Sequence, residues 1–219
     1  MRKKVLCVGA HPDDLELGMG GTIAKHVDRN HEVHLAICTQ GIGGKSGHPK
    51  LRMEEAKKAA AILGADLHLI DYPVLKLNKP SIDFKMTISN LIQRINPDRV
   101  YTHSPYDYHQ IHYTVAQSVT DVIDNIKEFV YYEIISSTSP EFKPNAYVDI
   151  TDYIDVKLTS LKAHQTQGSK LYIISNAVKS LAYARYTLSK IGSRPNGMAE
   201  AFTIHRLLTE GSLVDIFGK

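Results

Sequence analysis

Two short segments concentrate the side chains that do chemistry. Ala10-His11-Pro12-Asp13-Asp14 holds one imidazole and two carboxylates, and His103-Ser104-Pro105-Tyr106-Asp107-Tyr108-His109-Gln110-Ile111-His112 holds three imidazoles and a carboxylate. His11 and Asp14 stand three apart, so a nitrogen and an oxygen can converge on one ion, and Pro12 stiffens the turn between them. Asp13 does not share Asp14's direction and is left as a base. The simpler alternative is that an aspartate caps the next helix and His11 is a turn residue. His109 and His112 have the same spacing. At a helix start their rings lie on one face, one able to bind metal and the other to donate a hydrogen bond. Two nitrogens and one carboxylate leave a fourth position open, which is the pattern of catalytic rather than structural zinc; iron(II) suits the same set. The chemistry implied is attack by a water that the ion acidifies and a nearby carboxylate deprotonates.

These segments need a scaffold that brings them together. Apolar runs predict strands over 4–9, 32–39, 66–70, 99–102 and 128–136, and helical periodicity predicts helices over 20–29, 51–63, 84–95 and 112–126. Alternation of this kind predicts an α/β fold, a mostly parallel sheet with helices on both faces. Both chemical segments then sit at carboxyl ends of strands, where such sheets bind ligands. Residues 136–144 read as a polar turn region and 147–150 as a short edge strand. Helices over 153–164 and 170–190 follow and make a C-terminal helical cap on the same domain. Gly18-Met19-Gly20-Gly21-Thr22 invites a phosphate-loop reading but fails the dinucleotide fingerprint, because Ile23 stands where a third glycine is required. Close helix–sheet packing is the better use of these glycines.

Composition narrows the field. The chain has 219 residues, 22% of them charged, with a net charge of +3 and no basic run, which argues against nucleic acid and against an anionic membrane surface. The apolar stretch at the N-terminus is too short for a signal peptide, and no window reaches the roughly 18 apolar residues of a membrane span. Cys7 and Cys38 lie inside strand-like runs, as free thiols of a reducing, cytoplasmic compartment do.

Taken together, Ala10-His11-Pro12-Asp13-Asp14, the Gly-Met-Gly-Gly-Thr stretch and His109-x-x-His112 resemble the PIG-L/LmbE family of metal-dependent N-deacetylases. Arg52-x-x-Glu55, Ala163-His164-Gln165-x-Gln167 and Ala199-Glu200-Ala201-Phe202 agree, so the resemblance runs from residue 5 to about 202 of a single domain, 1–219. It looks closest to the branch that includes the bacillithiol-pathway deacetylase. The resemblance implies a Rossmann-like fold and homo-oligomers. It also implies Zn2+, with Fe2+ as the other option, and a small-molecule substrate derived from N-acetylglucosamine. Position by position, it implies His11, Asp14 and His112 as metal ligands and Asp13 as general base. His109 would stabilise the oxyanion and protonate the leaving amine, and Arg52 would contact substrate. The chain departs from the family at Ile111, where an aspartate is common. Asp107 is near enough to substitute in tuning His109, and an Asp107→Asn variant with an unchanged pH–rate profile would count against that idea.

Several residues carry competing interpretations. Arg52 alone reads as a solvated helix residue paired with Glu54 or Glu55. The glycine-rich stretch 40–49 reads as a lid or a plain loop, with His48 as a possible substrate contact. His26, His31, His34, His68 and His205 stand alone and receive no role, and Tyr172, Tyr183 and Tyr186 suit packing. The rival functions are a metal-dependent amidase or esterase on a non-sugar acyl group, and a non-catalytic Rossmann-like nucleotide-binding module.

Overall fold

The computed structural model describes residues 2–41, 48–170 and 175–208. Seven strands form one sheet: β1 (Lys4–Gly9), β2 (Glu32–Ile37), β3 (Asp66–Leu69), β4 (Arg99–His103), β5 (Glu128–Tyr132), β6 (Ala146–Asp149) and β7 (Ala199–Leu207). Their order is β3-β2-β1-β4-β5-β7-β6. The first five run parallel, while β7 is antiparallel to both β5 and β6. Six helices complete the scaffold: α1 (Asp14–Asp28), α2 (Pro49–Leu63), α3 (Ile82–Ile95), α4 (Gln110–Thr120), α5 (Ile154–Lys162) and α6 (Ser175–Ser189). Helices α1, α2, α5 and α6 bury their apolar stripes on one face, around Leu15, Ile23, Leu63, Leu161 and Val178. Helices α3 and α4 cover the other face, around Phe84, Ile88, Val115 and Val119. The fold is therefore the Rossmann-like α/β arrangement that the alternation predicts. The strand order reverses between β1 and β4, so their carboxyl ends flank the crevice where such sheets bind ligands.

The structure corrects the expected elements in two places. First, α1 begins at Asp14, six residues before the predicted start, because the glycines lie inside the helix. A Cβ on Gly18 would come within 2.5 Å of the Tyr132 ring, and one on Gly21 within 2.7 Å of Ile150, so both are sites of close packing. Second, the C-terminal part contributes more than a helical cap, since β7 inserts between β5 and β6. Glu200, buried in its second position, disguises that strand by breaking the apolar alternation. Both cysteines are buried free thiols, as expected. Residues 42–47 of the glycine-rich loop, with Leu171, Tyr172 and Ile174, lie outside the described residues. Tyr186 is a packing residue against Gly197.

Glu200 and Lys157 form an ion pair, each side chain only 4% exposed, lodged in a break of α1 at Met19, where φ is −148°. The Glu200 carboxylate accepts the Gly21 and Thr22 N–H groups (3.0 and 2.7 Å), which are the orphan donors of the second helical segment. Lys157 donates to the Leu17 carbonyl (2.8 Å), which ends the first segment. Removing one member of such a pair leaves an uncompensated buried charge. Lys157→Met is expected to cost about 3–5 kcal/mol, read as a lower urea midpoint.

A second buried chain runs from Glu128 through Arg99 and Tyr101 to His26 at the opposite end of the sheet. Arg99 donates to Glu128 (2.6 Å) and to the Tyr101 hydroxyl (3.1 Å), so the phenol proton is directed at His26 Nε2 (3.0 Å). Burial, and then the positive Arg99, hold His26 well below the ordinary histidine value; the same causes bring His31 down to about 4. Between that range and the ordinary value of about 6.5, the unfolded chain binds protons that the folded chain refuses. Stability should therefore fall as pH drops below about 6.5. His26→Gln should flatten that slope in urea titrations at pH 7.5, 6.5 and 5.5.

Candidate metal centre

The end of β1 turns sharply into α1. Asp13 sits at the N-cap position with φ 104° and ψ −22°, a left-handed conformation that strains a residue other than glycine. Its carboxylate makes no cap hydrogen bond, which sets aside the simpler role of a helix cap. The unusual backbone sends the two carboxylates apart: Asp13 Oδ1 faces Arg52 at 3.7 Å, and Asp14 faces the histidines. Asp14 Oδ2 accepts the His11 backbone N–H (2.7 Å) and lies 3.3 Å from His11 Nδ1, while Oδ1 lies 3.4 Å from His112 Nε2. His11 Nδ1 and His112 Nε2 are 3.2 Å apart.

This donor set fits a tetrahedral ion. Bonds of about 2.0–2.1 Å separate tetrahedral ligands by roughly 3.3 Å, close to the spacing of the two nitrogens (3.2 Å) and of each nitrogen from one Asp14 oxygen, Oδ2 for His11 and Oδ1 for His112. His112 Nδ1 is engaged by Asp107 Oδ2 (3.1 Å), which also accepts from Ser137 Oγ (3.0 Å), so Nε2 is the nitrogen turned towards His11 and Asp14. A carboxylate behind a histidine in this way orients metal-binding imidazoles. Burial opposes charge on His112, but Asp14 and Asp107 outweigh it and raise the ring to about 10. The surroundings thus favour positive charge where the donors meet.

Among the described residues, donor atoms within 4.8 Å of one another form two trios, His11/His109/His112 and Asp14/His103/His112, with His112 in both and His11 and Asp14 in one each. Hydrogen bonds discriminate among them. His103, fully buried at the end of β4, accepts the Ala10 N–H on Nε2 (3.0 Å), so that lone pair is spent. Its ring stacks on His112 with centroids 4.1 Å apart, as a shelf beneath that imidazole. The sequence reading counted His103 without giving it a role; its position as the last residue of a buried strand was the available signal. His109 caps α4, and its Nδ1 accepts the Ile111 N–H (3.3 Å), which leaves the proton on Nε2. Burial, then the charges of His112 and His11, hold His109 down to about 4, so the ring is a neutral hydrogen-bond donor.

Asp107 corrects one expectation. Its carboxylate is hydrogen-bonded to the ring of His112 (3.1 Å) and to the backbone N–H of His109 (2.8 Å), so it orients the His112 ring and acts on His109 only through its charge, which raises that histidine against burial.

The structure brings Arg52 to the site, although not as a solvated residue paired with Glu54 or Glu55. Glu54 bonds Lys57, and Glu55 accepts both the N–H and hydroxyl of Thr166 (2.8 and 2.6 Å), which ties two of the weaker motifs together. Arg52 donates instead to the carbonyls of Gly41 (2.6 Å) and Pro12 (2.8 Å) and is 5% exposed. Gly41 has φ +66°, and a Cβ there would collide with the guanidinium. Burial and the neighbouring Asp14 raise Asp13 to about 6, against Arg52, His164 and Lys170. His164 is buried behind the site, 3.3 Å from Glu16. His11, Asp13, Arg52, His109, His112 and Lys170 all border one cavity of about 240 Å³.

Residues 6–123 match the PIG-L family, described as GlcNAc-PI de-N-acetylase. The chain belongs to this family. It is 30% identical over 188 residues to diacetylchitobiose deacetylase of Thermococcus kodakarensis, covering 75% of this chain and 70% of that one. The crystal structure of N,N'-diacetylchitobiose deacetylase from Pyrococcus horikoshii superposes with a TM-score of 0.75 at 25% identity, covering 98% of this chain and 88% of that one. Another relative, 4-oxalmesaconate hydratase of Pseudomonas putida, is 27% identical over 74% of this chain and 72% of its own length. Among the described residues, no helix is long and apolar enough to cross a membrane.

Asp107→Asn should weaken metal affinity about 10- to 100-fold, the usual cost of losing such an orienting carboxylate. Chelator competition measures it directly.

Proposed function

We propose that this chain is a zinc-dependent N-deacetylase that hydrolyses the acetamide of an N-acetylglucosamine derivative in the cytoplasm, working as a homo-oligomer. The observation that carries the reading is the convergence of His11 Nδ1, Asp14 and His112 Nε2 at 3.2–3.4 Å, with Asp13 and His109 bordering the same cavity. The two related diacetylchitobiose deacetylases supply the substrate class; a related hydratase shows that the fold alone does not choose the reaction.

In this reading His11, Asp14 and His112 hold the ion, and a divalent ion bound there supplies Lewis acidity. Asp13, with Oδ2 free of hydrogen-bond partners among the described residues, takes the proton from the attacking water. The neutral Nε2–H of His109 donates to the oxygen that gains charge as the carbonyl carbon becomes tetrahedral. The departing nitrogen must leave as an amine, so a proton returns to it from Asp13 or through His109. Arg52 contributes by holding Pro12 and Gly41 around the base rather than by gripping the acetyl group.

Asp13→Asn should lower kcat by about 10²–10⁴ with metal content unchanged, whereas His112→Ala should lose both metal and rate. His109→Gln, which keeps an N–H donor, should retain more activity than His109→Ala. Acetate release from N-acetylglucosamine derivatives, compared between metal-loaded and chelator-stripped protein, tests the whole assignment. Metal-loaded protein that releases acetate only from a non-sugar amide or ester would replace the sugar substrate.

A further inference from the structure

Four histidines that stand alone in the sequence are brought into pairs by the fold. His26 Nδ1 and His31 Nδ1 lie 2.9 Å apart, and His34 Nδ1 and His68 Nε2 lie 3.1 Å apart. Only the second pair suits a cation. At the first, the Tyr101 proton is directed at His26 Nε2, so the neutral ring carries its own proton on Nδ1. Arg99, Arg29 and Lys3 also press positive charge on both of those rings. At the second pair, the Glu32 carboxylate accepts from His34 Nε2 (3.0 Å), so the lone pair of the neutral ring is on Nδ1, the atom that faces His68. The hydrogen bond to His34, and then Lys4 and Arg2, hold Glu32 below the ordinary carboxylate value, which keeps it an anionic acceptor. A carboxylate behind an imidazole in this way orients metal-binding histidines.

The strand register supplies a third donor. His34 on β2 stands opposite Asp66 on β3, and His68 follows two residues later on the same face of the sheet. Asp66 Oδ2 is 3.9 Å from His34 Nδ1. The Asp66 side chain is 75% exposed, so the pair opens to solvent beside it. Arg94, in the last turn of α3, is the cation that acts on His68, and Asp66 opposes it. The 3.1 Å between the two nitrogens is close to the roughly 3.3 Å between tetrahedral ligands at bonds of about 2.0–2.1 Å.

We infer that His34 Nδ1 and His68 Nε2, with Asp66 as third donor, form a second divalent-cation site, for an ion of the imidazole-binding class such as Zn2+, that clamps the edge strand β3 to β2. None of its residues belongs to the metal centre at the ends of β1 and β4, and the inference does not depend on the deacetylase reading.

Equilibrium dialysis of chelator-stripped protein against Zn2+ counts the ions held per chain. His34→Gln and His68→Gln should each hold one ion fewer than the unaltered chain, and His26→Gln should hold as many. Glu32→Gln should keep the ion with affinity about 10- to 100-fold weaker. His68 is only half-buried on an edge strand, so His68→Gln decides the matter if His34→Gln does not fold. A count that His68→Gln leaves unchanged, or the loss of every ion at once, overturns the site. His112→Ala separates the two centres. An ion that depends on His68, with none that depends on His112, would keep this site and count against the metal centre; the reverse would count against this site alone.

Discussion

A carboxylate that is almost fully buried must be compensated, and Asp14, 5% exposed at the mouth of the sheet, sets the terms for everything around it. Its oxygens take one backbone N–H and face three imidazoles, from the end of β1, the end of β4 and the first turn of α4. That is possible only because β1 and β4 are neighbours in the sheet although they are far apart in the chain. The left-handed Asp13 follows from the same demand. With ordinary backbone angles the two adjacent carboxylates would compete for one space, and the strained turn separates a metal-facing group from one facing Arg52.

The first segment of α1 carries both carboxylates, and its end is fixed by a different pair of charges. Lys157 closes that segment, and Glu200 starts the next. The break lets Gly18 and Gly21 approach Tyr132 and Ile150 more closely than any side chain would allow. The antiparallel half of the sheet therefore positions the turn that carries Asp13 and Asp14.

Much of this was legible in the residue pattern because strand ends in parallel sheets concentrate chemistry. That His11 and Asp14 could converge was readable from their spacing, and the structure brings His112, which the resemblance selects among the histidines, against them. What stayed hidden has physical reasons. The strand at Ala199–Leu207 carries a buried glutamate, and a hydropathy pattern assigns such a residue to the surface. His103 looked like one histidine among several, since a shelf under a ligand leaves no spacing signature. Asp107 was expected to act on His109, and its charge does so, but its side-chain hydrogen bond goes to the His112 ring, because sequence distance does not say which of two stacked imidazoles a carboxylate meets.

Arg52 shows how far a type of residue underdetermines its use. A guanidinium near a catalytic carboxylate suggests substrate recognition, yet here its terminal donors go to two carbonyls that shape the wall of the site. Gly41 makes this possible, since only a residue without a Cβ can adopt φ +66° against the guanidinium plane. Charge at this point holds the shape of the cavity and works against the upward shift of Asp13. His11, Asp14 and His112 then face Asp13 across one cavity, so the donor atoms, the strained turn and the buried guanidinium share a single edge of the sheet.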